Sequence, residues 1–155
     1  MPLNNFGVVD ERKSFGKMLM RSAQPDIKGL KDIQEMMLIE EISTVRLNDC
    51  GIITLEQEQS CAHIVYNYPI PTFKVDLLKV REIVKLIDER LNYEHILVHC
   101  EHGRDRTGLI IGAYRILVQK WDLQKVDEER KLYGVSGIIE EIGDYAIHEA
   151  LEELV

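Results

Sequence analysis

The hydrophobic positions of the chain alternate between short runs typical of strands and longer patterns with helical spacing. Four short runs predict strands, at residues 17–20, 43–47, 62–66 and 95–98. Helical spacing predicts helices at residues 25–42, 55–60, 76–91, 106–118, 122–133 and 138–154. Because strands and helices alternate, we expect an α/β fold, with a central, mainly parallel sheet of about four to five strands flanked by helices.

The best-defined part of this pattern is the helix at residues 76–91 and the strand that follows it. Apolar residues recur on one face of the helix, at Leu77, Val80, Val84, Ile87 and Leu91. This spacing is expected of a helix that packs on a sheet, and Asp76 is available as its N-cap. The run at residues 95–98 has the short apolar signature of a strand that is buried on both faces.

A charged segment, HCEHGRDRTG at residues 99–108, interrupts this apolar context. It occupies the turn between the carboxyl end of a predicted central strand and the N-terminus of the next helix. Ligands bind at this edge of open α/β sheets. A helix N-terminus also presents unpaired N–H groups and a partial positive charge. The position of the segment therefore indicates an anion site.

The residue types in this segment suit phosphate chemistry. A helix N-terminus and nearby cations would hold Cys100 as a nucleophilic thiolate. Arg106, at the start of the predicted helix, can bind two phosphate oxygens through its guanidinium. Gly103 permits a positive φ, so that the intervening N–H groups converge above the sulfur. Gly108 is expected to let the helix pack closely. The segment thus predicts a phosphate cradle over a thiolate.

The arrangement His99-Cys100, five residues, then Arg106-Thr107-Gly108 resembles the signature loop of the protein tyrosine phosphatase superfamily. The short chain is similar to the compact dual-specificity branch, which includes cysteine-dependent inositol phosphate phosphatases. A second likeness is RSAQP at residues 21–25, after a predicted strand. Small atypical dual-specificity phosphatases carry a similar R-S-x-x-P stretch ahead of their first core helix.

The resemblance implies a role for each residue of the loop. Cys100 would attack phosphorus and form a phosphocysteine, and Arg106 would bind the phosphate and stabilise its oxygens in the transition state. Thr107 would help the cysteine leave in the second step, and His99 would orient the loop and help to hold the thiolate. The residues around the substrate phosphate would be Glu101, His102, Gly103, Arg104, Asp105 and Arg106. No cofactor and no metal is implied.

The general acid has two candidates. The family usually places an aspartate on a separate loop well before the cysteine, and in the corresponding residues 68–76 the one aspartate is Asp76. Asp76 is also the predicted helix N-cap. Some bacterial relatives with a Lys/Arg-Asp-Arg-Thr ending use the aspartate inside the loop, and Asp105 fits that pattern. Both remain candidates, with Asp105 preferred.

The charge of the loop bears on the substrate. Arg104, and His102 when protonated, add positive charge to that of Arg106. Such loops resemble those that act on phosphoinositides and inositol polyphosphates, including phytase-like enzymes. Lys74 and Arg46 are candidates for a basic rim. We therefore expect a phosphorylated inositol as substrate. The alternatives are a phosphotyrosine or dual-specificity protein phosphatase and, less favoured, a pseudophosphatase that binds phosphorylated partners without turnover.

Composition narrows these classes further. The 155 residues predict one phosphatase domain over residues 1–155, and we expect a monomer. A formal charge of −8 argues against nucleic-acid binding. No apolar run approaches the ~18 residues of a membrane span, and the N-terminal residues lack the long apolar run of a secretory signal. We expect a cytoplasmic protein.

The cysteines and histidines also allow roles outside phosphate chemistry. Three cysteines are too few and too scattered for a disulfide framework. We expect Cys50 and Cys61 to be core or near-core thiols. The less favoured alternative is that one of them protects an oxidised Cys100 through a disulfide, as in some relatives. A zinc site would need ligands beyond the cluster His95, His99, Cys100 and His102. No second ligand pair has zinc spacing, so we expect no metal site.

Overall fold

The fold is built on a five-stranded sheet. The computed structural model describes residues 4–12, 14–71, 74–134 and 138–155, and in residues 138–144 the backbone alone. In these ranges the strands are β1 (Gly7–Arg12), β2 (Lys17–Ala23), β3 (Ser43–Arg46), β4 (Val65–Asn67) and β5 (Ile96–Cys100). The strand order is β1-β2-β5-β3-β4, with β1 antiparallel to β2 and every other neighbouring pair parallel. The predicted α/β class and mainly parallel sheet are confirmed.

Helices cover both faces of this sheet. They are α1 (Ile27–Met37), α2 (Leu55–Gln59), α3 (Leu77–Arg90), α4 (Asp105–Leu117), α5 (Leu123–Tyr133) and α6 (Ile138–Glu152). The central strand β5 points alternate side chains to opposite faces. Ile96 and Val98 pack in the larger core with α3 and α4, whereas Leu97 packs against Leu30 and Ile33 of α1. The turn after β5 therefore emerges from the middle of the molecule.

Close helix packing depends on a glycine that was not predicted. A Cβ on Gly112 would lie 3.0 Å from a methyl group of Val126 and 3.1 Å from one of Leu151, so α5 and α6 approach α4 closely there. A Cβ on Gly108 would meet the side chain of Arg130 at 3.8 Å, which is ordinary contact. The expectation that Gly108 lets the helix pack closely is therefore wrong. Gly112 is the glycine that allows α5 and α6 to approach α4.

Three elements differ from the sequence-based boundaries. Strand β1 was not predicted, because its register shifts between Val8 and Asp10 and the shift breaks the alternating pattern. Helix α1 ends before residue 42 because Leu38 adopts a left-handed conformation with φ of 56°. That C-cap normally carries glycine or asparagine, so no stop signal was visible. Strand β4 begins at Val65, later than the predicted start at residue 62.

No helix in the described part of the chain is both long and apolar enough to cross a membrane.

Candidate active site

The signature segment lies at the carboxyl edge of the sheet, at the end of its central strand. Cys100 is the last residue of β5 and only 2% exposed. It pairs with Ala23 of β2 on one side. On the other side, the N–H of Leu47, just after β3, donates to the carbonyl of His99 at 3.0 Å. The four residues after Cys100 form the loop, and α4 begins at Asp105, one residue earlier than predicted. The predicted position of the site, on the turn between a central strand and the N-terminus of the next helix, is therefore observed.

Gly103 makes the sharp return of this loop. Its φ is +70°, and a Cβ there would lie 2.5 Å from the backbone nitrogen of Ala23 and 2.6 Å from the carbonyl carbon of Ser22. The Gly103 carbonyl accepts a hydrogen bond from Nη2 of Arg21 at 3.1 Å. Both the backbone conformation and the contact with β2 exclude a side chain, so this position requires glycine.

Replacing Gly103 with alanine is expected to distort the loop. The strained backbone alone costs about 1–3 kcal/mol, and the contact with the backbone of β2 adds to it. We expect lower stability in denaturant unfolding together with loss of phosphate binding, measured by titration calorimetry. Gly16→Ala is the matched control, because Gly16 has φ of +67° but no atom within 4 Å of its Cβ position. Equal effects of the two variants would contradict the packing argument.

Residues that are distant from the loop in sequence contact it in the fold. Arg21 is 1% exposed and its guanidinium stacks on the ring of Tyr133 at 3.6 Å. Burial lowers the pKa of Arg21 to about 10, although the charges of Tyr133 and Glu129 oppose this. The amide of Asn5 donates to the carbonyls of His102 at 3.0 Å and Tyr133 at 2.9 Å. The sequence pointed to Arg21 only as the first residue of the RSAQP stretch and did not single out Asn5 or Tyr133.

His99 is held by a buried ionic network below the loop. Its Nε2 lies 2.9 Å from Oε2 of Glu58, and both side chains are fully buried. The other carboxylate oxygen of Glu58 accepts hydrogen bonds from Arg46 at 2.7 Å and Gln24 at 3.0 Å. Burial by itself would raise the pKa of Glu58, but His99, Thr44 and Gln24 together lower it to about 2. Glu58 therefore stays ionised as the partner of His99 and Arg46.

Two sequence-based assignments change with this network. Arg46 is not part of a basic rim, because its side chain is 2% exposed and bound to Glu58, Gln24 and the carbonyl of Ile53. The ring hydrogen bond of His99 goes to Glu58 on α2, and its Nδ1 has no hydrogen-bond partner within the described ranges. Among the described residues, the ring of His99 therefore bonds to Glu58 and not to the loop that it was predicted to orient.

Thr107 lies in the first turn of α4 beneath the loop. It is fully buried, and its hydroxyl has no hydrogen-bond partner among the residues that the structure describes. A buried hydroxyl without a partner is uncommon and asks for an explanation. The hydroxyl is therefore free to serve a sulfur or phosphate in the site.

Arg106 lines an open cleft of about 490 Å³. Its described lining consists of Asp49, Pro69, Ile70, Pro71 and Arg106. Arg106 thus reaches the cleft, as its predicted role requires. Asp49 was not singled out from the sequence, although its place just after a predicted strand, at residues 43–47, was a usable signal.

Neither of the two predicted acid candidates belongs to the described lining of this cleft. Asp76 is the N-cap of α3, and its Oδ1 accepts from the N–H groups of Leu78 at 3.0 Å and Lys79 at 3.3 Å. It lines a neighbouring cavity of about 110 Å³ together with Lys74. Asp105 is the first residue of α4 and half-buried. Thr72 and Phe73, in the stretch expected to carry an acid, lie outside the described residues.

The variable positions of the loop are partly balanced in charge. The side chains of Glu101 and His102 are exposed and form an ion pair at 3.9 Å when His102 is protonated. Arg104 is half-buried, and its side chain passes the end of α5, with Cδ 2.9 Å from the Cβ position of Gly134. Of the basic residues in the loop, Arg106 is the one in the described lining of the cleft, and the side chain of Arg104 lies against the end of α5.

The three cysteines have different surroundings. All are free thiols; Cys100 is buried, Cys61 half-buried and Cys50 exposed. Cys61 donates to the carbonyls of Gln57 at 3.5 Å and Glu58 at 3.4 Å, and burial, followed by the charge of Glu58, raises its pKa. The expectation of a core position is wrong for Cys50.

Within the described ranges, no group of three or more His, Cys, Asp and Glu is arranged to hold a metal ion.

Comparison with known proteins identifies the family. The profile of the tyrosine phosphatase family matches residues 1–142. The chain belongs to this family. The similar curated proteins place it near the atypical dual-specificity branch, and the resemblance noted for residues 99–108 is thereby confirmed.

Relatives of known name differ in their substrates. The dual specificity protein phosphatase TpbA of Pseudomonas aeruginosa is 29% identical over 75% of this chain and 51% of its own length. The putative tyrosine-protein phosphatase OCA1 of Meyerozyma guilliermondii is 33% identical, with 78% of this chain and 70% of the relative covered. The inositol diphosphatase DSP1 of Oryza sativa is 27% identical, with 88% and 60% covered. The chain spans about half the length of the TpbA proteins it matches.

Solved structures share the fold of this family member. The crystal structure of P. aeruginosa TpbA superposes with a TM-score of 0.71 at 22% identity, covering 95% of this chain and 92% of that one. The catalytic core of Siw14 gives a TM-score of 0.71 at 20% identity, covering 98% and 85%.

Proposed function

We propose that this chain is a phosphoric monoester hydrolase that works through a phosphocysteine at Cys100. The observation that carries the proposal is the position of Cys100 at the end of the central strand, below a loop that returns Arg106 to an open cleft. In this reaction Sγ of Cys100 forms the S–P bond as the P–O bond of the ester breaks. Water then attacks phosphorus, the S–P bond breaks, and phosphate and the thiolate are released.

The other loop residues supply electrostatic stabilisation. Arg106 binds the phosphate oxygens and stabilises their charge in the transition state, while the N–H groups of residues 101–105 surround the anion. Thr107 stabilises the departing thiolate in the second step, which its buried, unpartnered hydroxyl supports. His99 acts indirectly, since Glu58 holds it just before the cysteine. Catalysis needs no metal in this scheme.

Within this class we propose inositol polyphosphates or phosphoinositides as substrates. Several substrate phosphates need counter-charge, and in this proposal Arg104, two residues before Arg106 in the loop, supplies it together with Arg106. The relatives named inositol diphosphatase support this choice. The alternative is a protein phosphatase, favoured by the similarity to TpbA, which is named a dual specificity protein phosphatase and has been crystallised with phosphotyrosine. The intact Cys100, Arg106 and Thr107 argue against a pseudophosphatase.

A phosphate-release panel tests the proposal. It compares inositol hexakisphosphate, phosphoinositides, phosphotyrosine peptides and an aryl monophosphate on the same preparation. We expect phosphate release from every substrate in the panel, with the highest kcat/KM on a phosphorylated inositol. Highest kcat/KM on the phosphopeptides would support the alternative, and binding without release would support the pseudophosphatase.

The Arg104→Ala variant tests the preference for several phosphates. We expect its kcat/KM on a polyphosphorylated inositol to fall about tenfold or more, because a charge-assisted contact is lost. On an aryl monophosphate the change should stay below about threefold, since Arg106 is intact. Lys85→Ala, an exposed cation on α3, is the control for net charge. Equal losses on both substrates would remove the basis for this preference.

A further inference from the structure

The proposed reaction needs a proton donor for the leaving oxygen, and the cleft that Arg106 lines contains a suitable group. Asp49 shares the lining of this cleft with Arg106. The rest of the described lining is apolar or backbone, from Pro69, Ile70 and Pro71. Asp49 is therefore the carboxylate that the described lining presents to a phosphate held by Arg106.

The sheet explains how Asp49 comes to this position. Strands β3 and β5 are parallel neighbours, and Arg46 is in register with His99. Their carboxyl ends meet at the same edge, so the segment after β3 runs beside the loop after β5. Asn48, whose amide donates to Gln24 at 2.9 Å and to the carbonyl of Cys50 at 2.9 Å, fixes the backbone on both sides of Asp49. Asp49 itself is exposed, as a group that meets substrate must be.

We propose that Asp49 is the general acid of this phosphatase, an inference that rests on the proposed function. As Sγ of Cys100 forms the S–P bond and the P–O bond breaks, the carboxyl of Asp49 gives its proton to the leaving oxygen. In the second step the resulting carboxylate takes a proton from the attacking water. The group thus returns to its starting state in each cycle.

The two aspartates predicted from the sequence, Asp76 and Asp105, are less suitably placed to act as the general acid. Asp76 accepts two N–H groups at the start of α3 and faces the smaller, neighbouring cavity. Asp105 begins α4, and it is absent from the described lining of the cleft that Arg106 reaches. The sequence made both of them candidates, Asp105 because it lies inside the signature loop and Asp76 because it lies in the stretch where the family usually places its acid. The cleft instead brings in a residue from the neighbouring strand.

The test uses aryl phosphates whose phenols range from strongly to weakly acidic. A general acid matters most when the leaving phenol is weakly acidic. We expect Asp49→Asn to lower kcat about 10²-fold on the poorest leaving group and less than about threefold on the best. The dependence of kcat on leaving-group acidity should be shallow in the wild type and steep in Asp49→Asn. The fall of kcat on the alkaline side should also disappear in the variant, and Asp49→Glu should restore part of the rate.

Comparison variants separate the possible outcomes. Asp105→Asn and Asp76→Asn should keep the shallow dependence, whatever their absolute rates, and Asp32→Asn on α1 serves as the unchanged control. A steep dependence in Asp105→Asn or Asp76→Asn, with a shallow one in Asp49→Asn, would overturn the assignment. Equal loss on every leaving group in Asp49→Asn would also overturn it. Failure of the proposed function looks different, because the wild type would then release no phosphate in a Cys100-dependent manner.

Discussion

Replacement of Cys100 with serine is expected to abolish phosphate release, with kcat on an aryl phosphate falling at least about 10³-fold. A serine hydroxyl in this position remains protonated and is a much weaker nucleophile than a thiolate. The change removes no packing of consequence, because serine is slightly smaller than the buried cysteine. Binding of inorganic phosphate, followed by calorimetry, should persist, since Arg106 and the N–H groups of the loop are intact.

The matched control for this variant is Cys61→Ser. Cys61 is a half-buried thiol that follows α2, and it donates to the backbone carbonyls of Gln57 and Glu58, which a hydroxyl can also reach. It should keep wild-type kcat. Activity retained in Cys100→Ser, or lost equally in both variants, would mean that the nucleophile lies elsewhere.

Replacement of Glu58 with glutamine is expected to have the largest effect on stability. The substitution leaves the guanidinium of Arg46 in the core without its counter-charge, and breaking such a buried pair costs about 3–5 kcal/mol. For a chain of this size the melting temperature should fall by roughly 10 °C. Thermal and urea unfolding measure the loss. Glu56→Gln on the same short helix is the control, because Glu56 is exposed and its removal should change little.

The same residue predicts the response of stability to acid. The pKa of Glu58 is about 2 in the fold against an ordinary value of 4.5. The unfolded chain therefore binds more protons at this site, so its contribution is complete above pH 4.5 and is lost as the pH falls towards about 2. Wild-type stability should decline in that window, and the Glu58→Gln variant should lack this part of the decline. Parallel pH curves for the two proteins would contradict the assignment.

Local features of the sequence were enough for much of the fold. In the part of the chain that the structure describes, apolar periodicity located four of the five strands and all six helices, because packing on a sheet requires a periodicity that is visible in short segments. The missed strand β1 lies at the sheet edge, and its shifted register breaks that periodicity. The early end of α1 depends on a leucine in a left-handed conformation, which the residue type does not announce.

The residues of the site also fall into those that the sequence could predict and those that only the structure revealed. Cys100, Arg106 and Thr107 lie within one turn and the start of one helix, so their relation follows from chain geometry. Arg46 and Asp49 are close together in the chain, yet one is buried under the loop and the other reaches the cleft. Their different fates depend on α2 and on the neighbouring strand, which lie far from the signature in sequence.

The sequence alone therefore determined the α/β class, the place of the anion site and the family, because each depends on residues near one another in the chain. Only the tertiary structure decided what supports and completes the site. It buried Arg46 and His99 around Glu58, set Arg21 behind Gly103, and brought Asp49 into the cleft of Arg106. These contacts join residues distant in sequence, and their identity depends on strand order and helix docking, which periodicity does not encode.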